Sequence, residues 1–235
     1  MTPVVVLRPE PGNTRTATAL RALGMDVRQI PLFAVVPVDW PTPDPARFDA
    51  LLLTSANAVR HAGIGVEALK HLPVVAVGET TAAAARAAGF GVALTGNADG
   101  RAAVALAQDN GFARLLHLTG RDRAATGEAE DRDRAVEPIT VYASNTVPLD
   151  DAVARSFEDC AILLHSTRAA TRLAALVDAS GAARARIALV AISQAVGDAA
   201  GAGWRDVAIA PQPTDAAVVA CAAARASTRA IDQRG

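Results

Sequence analysis

Apolar and polar positions along this chain come in blocks, not in residue-by-residue alternation. Short β-branched runs stand at 3–8, 26–32, 49–54, 73–77, 91–95, 114–119, 136–142, 160–165, 186–192 and 206–210. Each is a near-continuous apolar stretch, the pattern of a parallel strand covered on both faces. Between them, alanine-rich stretches predict helices over 13–23, 55–62, 79–89, 100–110, 149–157, 167–179, 194–202 and 214–226. Gly24, Gly89, Gly111, Gly181 and Gly203 stand where helices should stop. This alternation predicts an α/β fold of doubly wound parallel sheets.

Two places break the rhythm. Residues 33–47, FAVVPVDWPTPDPAR, carry four prolines, which a central strand cannot hold. Residues 143–150, ASNTVPLD, form the second break. A repeated pattern gives these breaks meaning. Val75–Gly96 reads VAVGETTAAAARAAGFGVALTG and Val190–Pro211 reads VAISQAVGDAAGAGWRDVAIAP. Each runs an apolar triplet, an alanine-rich segment, Gly-aromatic and a second apolar triplet. One copy falls inside the breaks and the other after them. Two similar α/β lobes are therefore expected, joined by a two-stranded linker near 33–37 and 142–147. The inner lobe spans 37–142. The outer lobe is discontinuous, 1–34 plus 147–235, because a strand and helix precede the first break. A continuous arrangement with a single cut near 145 is the alternative.

Composition narrows the chemistry. Half the 235 residues are apolar and the net charge is −1, which gives no reason to expect nucleic acid or an anionic membrane as partner. The N-terminal apolar run stops at Arg8-Pro9, and no window resembles a signal peptide or a span. A cytoplasmic address is expected. There are 22 Arg and one Lys, Lys70, so a Schiff-base or phosphate-loop lysine is nearly excluded. His61, His71, His117 and His165 show no metal-ligand spacing with Cys160 or Cys221. Two buried, inert thiols are expected. No metal and no cofactor are anticipated.

Several strands deliver a small or hydroxyl residue to their carboxyl end, where a helix begins. Ser55 follows LLLT, and Ser166 follows ILLH. Gly78 precedes Glu79-Thr80-Thr81, Ser193 holds the matching place in the second copy, and Gly120-Arg121 follows 114–119. Such residues cap helices. The same turns also present backbone N–H groups to an anion at the carboxyl edge of a sheet. Dinucleotide and phosphate-loop fingerprints are missing. Scattered anion-binding turns suit a ligand with several separate negative charges. Arg8 and Arg121, at strand ends, can add bidentate carboxylate contacts.

In order along the chain stand Leu7-Arg8-Pro9, Thr54-Ser55-Ala56-Asn57-Ala58-Val59, Val77-Gly78-x-x-Thr81-Ala82, Gly89-Phe90, Val141-Tyr142 and Pro213-Thr214. This series resembles the uroporphyrinogen-III synthase family over essentially the whole length. The chain departs from the family pattern at Leu7, Thr167, Ser193 and Val196, so backbone N–H donation is the expected role in the second copy. The resemblance implies two α/β lobes with the substrate in the cleft between them. It implies that hydroxymethylbilane, an open-chain tetrapyrrole with eight carboxylates, is cyclised with inversion of its last ring and loss of water. Tyr142 matches the family's tyrosine and is the expected hydrogen-bond donor to the leaving oxygen. The expected substrate-binding residues are Arg8, Ser55, Asn57, Gly78, Thr81, Gly120, Arg121, Ser166, Thr167, Ser193 and Thr214. His165 could reach the cleft, and residues 121–134 read as a solvated segment at its rim. A monomer is expected. The reading from another class is a two-lobed module that binds an anionic metabolite without chemistry.

Overall fold

A computed structural model of the chain describes residues 2–97, 99–122 and 136–232, with side chains as far as Arg225. The segment 121–134 thus lies outside the described residues, apart from Arg121 and Asp122. In chain order the elements begin with β1 (Val4–Val6), α1 (Gly12–Ala22), β2 (Val27–Gln29), β3 (Phe33–Pro37), β4 (Ala50–Leu53) and α2 (Ala56–His61). Next come β5 (Val74–Val77), α3 (Glu79–Ala87), β6 (Val92–Gly96), α4 (Gly100–Asp109), β7 (Leu115–Gly120) and β8 (Val136–Thr146). The chain ends with α5 (Asp151–Arg155), β9 (Ala161–Leu164), α6 (Thr167–Ser180), β10 (Ala188–Ala191), α7 (Gln194–Ala199), β11 (Asp206–Ile209) and α8 (Asp215–Asp232).

Two compact units result, one of residues 1–34 and 146–235 and one of residues 35–145. The first is a five-stranded parallel sheet in the order β11-β10-β9-β1-β2. The second is a six-stranded sheet in the order β3-β8-β7-β4-β5-β6. Leaving out β3, the second sheet matches the first strand for strand. Its β8-β7-β4-β5-β6 corresponds to β2-β1-β9-β10-β11. The two differ by a circular permutation: the pair that opens the chain in the first unit closes the second.

Each sheet is covered on both faces, which is why its central strands β1, β4 and β10 read as unbroken apolar runs, whereas β2, β6 and β11 at the sheet edges are only partly buried. In the first unit, α6 and α7 bury Ala170, Leu173, Val177 and Val196 against one face, while α1 and α8 bury Ala17, Leu20, Val218 and Val219 against the other. The second unit places Ala58, Ala82 and Ala85 on one face and Ala103 and Ala107 on the other. Alanine at these positions lets helices approach closely. The repeated Gly-aromatic pair has a simple cause. Gly89 follows the end of α3 at φ +88°. Helix α7 has already ended before Gly201 (φ +73°), and Gly203, expected at the helix stop, lies in the turn beyond it at φ +91°. Such a backbone favours glycine. The next residue, Phe90 or Trp204, then drops into the core at 4% and 8% exposure.

Residues 33–47 differ from the expectation of a plain linker. Residues 33–37 form strand β3, with Pro37 as its last residue. It lies at the edge of its sheet, where a missing N–H is tolerated. The second break is also partly strand, since β8 continues to Thr146. The β3–β8 pair is antiparallel: Val147 N–H donates to the Leu32 carbonyl and Val38 N–H to that of Val141, both at 3.0 Å. Tyr142 consequently sits within a strand and not at its exit.

Candidate active site

Open parallel sheets bind ligands beyond the carboxyl ends of their strands, at the point where strand order reverses. In the first unit that point lies between β1 and β9. Arg8 follows one and His165-Ser166 the other. They converge on Asp215, the first residue of α8. Its Oδ1 accepts hydrogen bonds from Thr16 Oγ1 at 2.7 Å, Arg8 at 2.9 Å and His165 Nε2 at 3.0 Å. Arg15 approaches Oδ2 at 3.4 Å. Asn13, fully buried, holds the turn by donating to the carbonyls of Val6 and Arg8 at 2.9 and 2.8 Å.

The electrostatics follow from burial. The His165 side chain is only 7% exposed. Burial, reinforced by the Arg8 charge, lowers its pKa to about 4, although Asp215 pulls the other way. The ring is therefore neutral near pH 7, with its Nε2–H donating to the Asp215 carboxylate. Its Nδ1 is buried and finds no partner among the described residues. Burial alone would raise the Asp215 pKa, but hydrogen bonds from Thr16 and His165 and the Arg8 charge hold it below the ordinary carboxylate range. Two guanidiniums then face one carboxylate, leaving this edge positive.

Ser166 caps α6, its Oγ accepting from Ala169 N–H at 3.2 Å, and Thr167 is the first helical residue, exposed. Thr214 caps α8 through Ala217 N–H at 3.2 Å. Ser193 stands before α7 and makes no side-chain capping bond. Sequence reasoning missed Asp215, Thr16 and Asn13. Asp215 alone had a signal, as an acid in the first turn of a helix beside an expected binding residue.

In the second unit strand order reverses between β7 and β4. Ser55 caps α2 by accepting from Asn57 N–H at 3.2 Å. Asn57 Oδ1 lies 3.5 Å from Arg60. Thr54 Oγ1 meets Nε2 of the fully buried His117 at 3.0 Å, tying the ends of β4 and β7 together. Tyr142 lays its ring against Gly120: a Cβ there would fall 2.6 Å from the ring. The His61 ring is 6.4 Å away, centroid to centroid, and burial lowers its pKa. Gly78 opens α3 at φ +76°.

Two expected donors are already engaged. Thr81 is 5% exposed and its N–H binds the Gly78 carbonyl at 3.1 Å. Thr81 therefore shapes the turn and does not present an N–H. Gly120 is the last residue of β7, and Arg121 N–H donates to the Tyr142 carbonyl at 2.9 Å, so this N–H belongs to the sheet. Cys160 is buried, which pushes its thiol pKa up. Among the described residues no cluster of three or more His, Cys, Asp or Glu is placed to hold a metal ion. No described helix is long and apolar enough to cross a membrane.

A family model described as uroporphyrinogen-III synthase HemD matches residues 14–220. The chain belongs to the uroporphyrinogen-III synthase family. Its fold is similar to that of uroporphyrinogen-III synthetase from Helicobacter pylori, with a TM-score of 0.64 at 16% identity, covering 94% of this chain and 97% of that one. It is also similar to a mutant uroporphyrinogen III synthase from the extremely thermophilic bacterium Thermus thermophilus, with a TM-score of 0.53 at 16% identity, covering 99% and 100%. At such identities the likeness speaks for the fold, and the family match carries the activity. A comparison with curated proteins gives no match. A uroporphyrinogen-III synthase works on a tetrapyrrole.

Proposed function

We propose that this uroporphyrinogen-III synthase is a hydro-lyase that cyclises hydroxymethylbilane, acting as a cytoplasmic monomer without a cofactor. The observation that carries the reading is the family match over residues 14–220. The positive edge of the first unit supports it, since the substrate is a polycarboxylate. A charge-assisted hydrogen bond contributes roughly 1.5–3 kcal/mol. Four or five such contacts, less association costs of at least about 4 kcal/mol, reach about −8 kcal/mol, or micromolar affinity. Arg8 is the proposed bidentate contact. The starts of α2, α3, α6, α7 and α8 are the proposed backbone contacts, with Ser55, Asn57, Gly78, Ser166, Thr167, Ser193 and Thr214 at or beside them.

In the proposed chemistry the C–O bond of the hydroxymethyl group breaks and the oxygen leaves as water, taking a proton. The resulting azafulvene is attacked by the substituted carbon of the last ring. The spiro intermediate reopens and recloses with that ring inverted, and the final proton loss restores the pyrrole. Tyr142 is the proposed donor to the departing oxygen. Its ring is braced by Gly120, so the hydroxyl is held by packing. The rest of catalysis is positioning. Supplying freshly generated hydroxymethylbilane and separating the product isomers tests this. The inverted isomer is expected. Only the symmetric isomer, which forms unaided, would overturn the assignment and favour a binding module.

A further inference from the structure

Beside α6 the first unit holds an open groove of about 590 Å³ that no role so far explains. It starts at Thr167, the first residue of the helix, and runs along Arg168, Thr171 and Arg172 to Leu176, with Phe33 in its wall. Among the described residues two arginines line it and no carboxylate does. Both guanidiniums stand over the Phe33 ring, Arg168 at 4.3 Å and Arg172 at 5.7 Å from its centroid. Stacking on a ring restrains a guanidinium's plane, and a planar fork so held is prepared for a carboxylate. Arg172 donates to the Val147 carbonyl at 2.6 Å, yet its buried Nε finds no acceptor among the described residues. A buried donor without an acceptor is uncommon and marks this guanidinium as incompletely satisfied.

We propose that this groove is a carboxylate subsite, in which Arg168 and Arg172 hold acid side arms of the tetrapyrrole while its ring edge lies on Leu176 and the apolar wall. The inference deepens the proposed function and rests on its substrate. Residues four apart on a helix share a face, so Thr167, Arg168, Thr171 and Arg172 form one continuous strip. The strip begins at the carboxyl end of β9, where the first unit's polar cluster also lies. Nearby cations therefore extend the positive edge along the helix. A ligand bearing acids at regular spacing around its perimeter can use both places at once.

Arg168 is exposed, so Arg168→Gln should fold normally, and a thermal melt checks it. With hydroxymethylbilane, KM should rise about tenfold, the loss of one charge-assisted contact, with kcat changed less than about twofold. Arg168→Lys, which keeps charge but not the fork, should recover part of the loss. Uroporphyrin I, an unreactive octacarboxylate, gives a second readout by fluorescence titration, with affinity about tenfold weaker in Arg168→Gln. Unchanged KM and unchanged uroporphyrin affinity would overturn the subsite, as would a fall in kcat alone. If the parent protein gives only the symmetric isomer but still binds uroporphyrin through Arg168, the catalytic assignment fails and the groove stands.

Discussion

Where strand order reverses, the first unit gathers Arg8, Arg15, His165 and Asp215, while the second gathers Ser55, His61, Gly120 and Tyr142. The topologies are permuted copies of one another, so the contrast lies in side chains. Its origin is visible at a single helix start. The last strand of each matched set is followed by a helix, α4 in the second unit and α8 in the first. In α4 the acid is the cap itself: Asp99 Oδ1 accepts from Ala102 N–H at 2.9 Å. In α8 a threonine caps, and the acid stands one residue later, where it turns to Arg8, Thr16 and His165. A one-residue shift thus converts a local cap into a link between the two ends of the chain. Duplication supplied two equivalent edges. The first is built around an arginine–aspartate–histidine cluster, the second around a tyrosine ring packed on a glycine.

Two edge histidines, His165 and His61, have pKa values lowered by burial, and the larger acid sensitivity is expected at His165. His165 has its pKa depressed from 6.5 to about 4. Above pH 6.5 it is neutral in both folded and unfolded chains. Below that the unfolded chain takes up a proton that the folded one refuses, so stability falls from pH 6.5 to about 4, by up to about 3 kcal/mol. Urea midpoints at pH 7, 5 and 4 measure this, and His165→Gln should flatten the slope. A slope identical to the parent's would remove His165 from the account.

Tyr142→Phe tests the second edge. It keeps the ring against Gly120 and removes only the hydroxyl. Turnover should fall about 10²-fold, equal to about 2.7 kcal/mol, while the product stays inverted because the grip is intact. Turnover equal to the parent's would make Tyr142 a packing residue alone.

Asp215→Ala sharpens the comparison from the ionic side. Thr16, Arg8 and His165 each lose their acceptor, so unfolding stability should drop by roughly 2 kcal/mol. The counterpart Asp99→Ala loses one cap and should cost about 1 kcal/mol. If chemical denaturation finds the two equal, the bonds to Asp215 contribute no more than a single cap.

The smallest effects separate the hydroxyls. Ser55→Ala and Ser166→Ala should each cost about 1 kcal/mol, since both accept from a helix-start N–H. Ser193→Ala should cost almost nothing, because that side chain makes no capping bond. A cost at Ser193 matching the other two would contradict the geometry.

Much of this architecture was legible before any coordinates. All ten runs contain strands, and the central ones were the plainest, because a strand buried on both faces must be apolar throughout. Gly89 and Gly181 end helices for a reason local to the backbone, while Gly203 lies beyond Gly201, where α7 has already ended. Ser55 and Ser166 cap because a cap involves neighbours only a few residues away. Strand β3 was hidden by Pro37 and the three prolines that follow it. They forbid a central strand, and only the finished sheet reveals that 33–37 lies at an edge. Gly120 was legible as a turn, but its service as a bed for the Tyr142 ring depends on β7 and β8 lying side by side. The engagement of Thr81 and Arg121 N–H groups is likewise a matter of final hydrogen-bond partners. Asp215 is the clearest case. Its sequence neighbours mark a helix start, while its partners Arg8 and Thr16 lie about 200 residues earlier. The sequence determined which segments become strands and helices, since that is settled by periodicity and local capping. Which side chains meet at the sheet edge was decided only by tertiary structure, because strand order joins the first strand of the chain to the last helix.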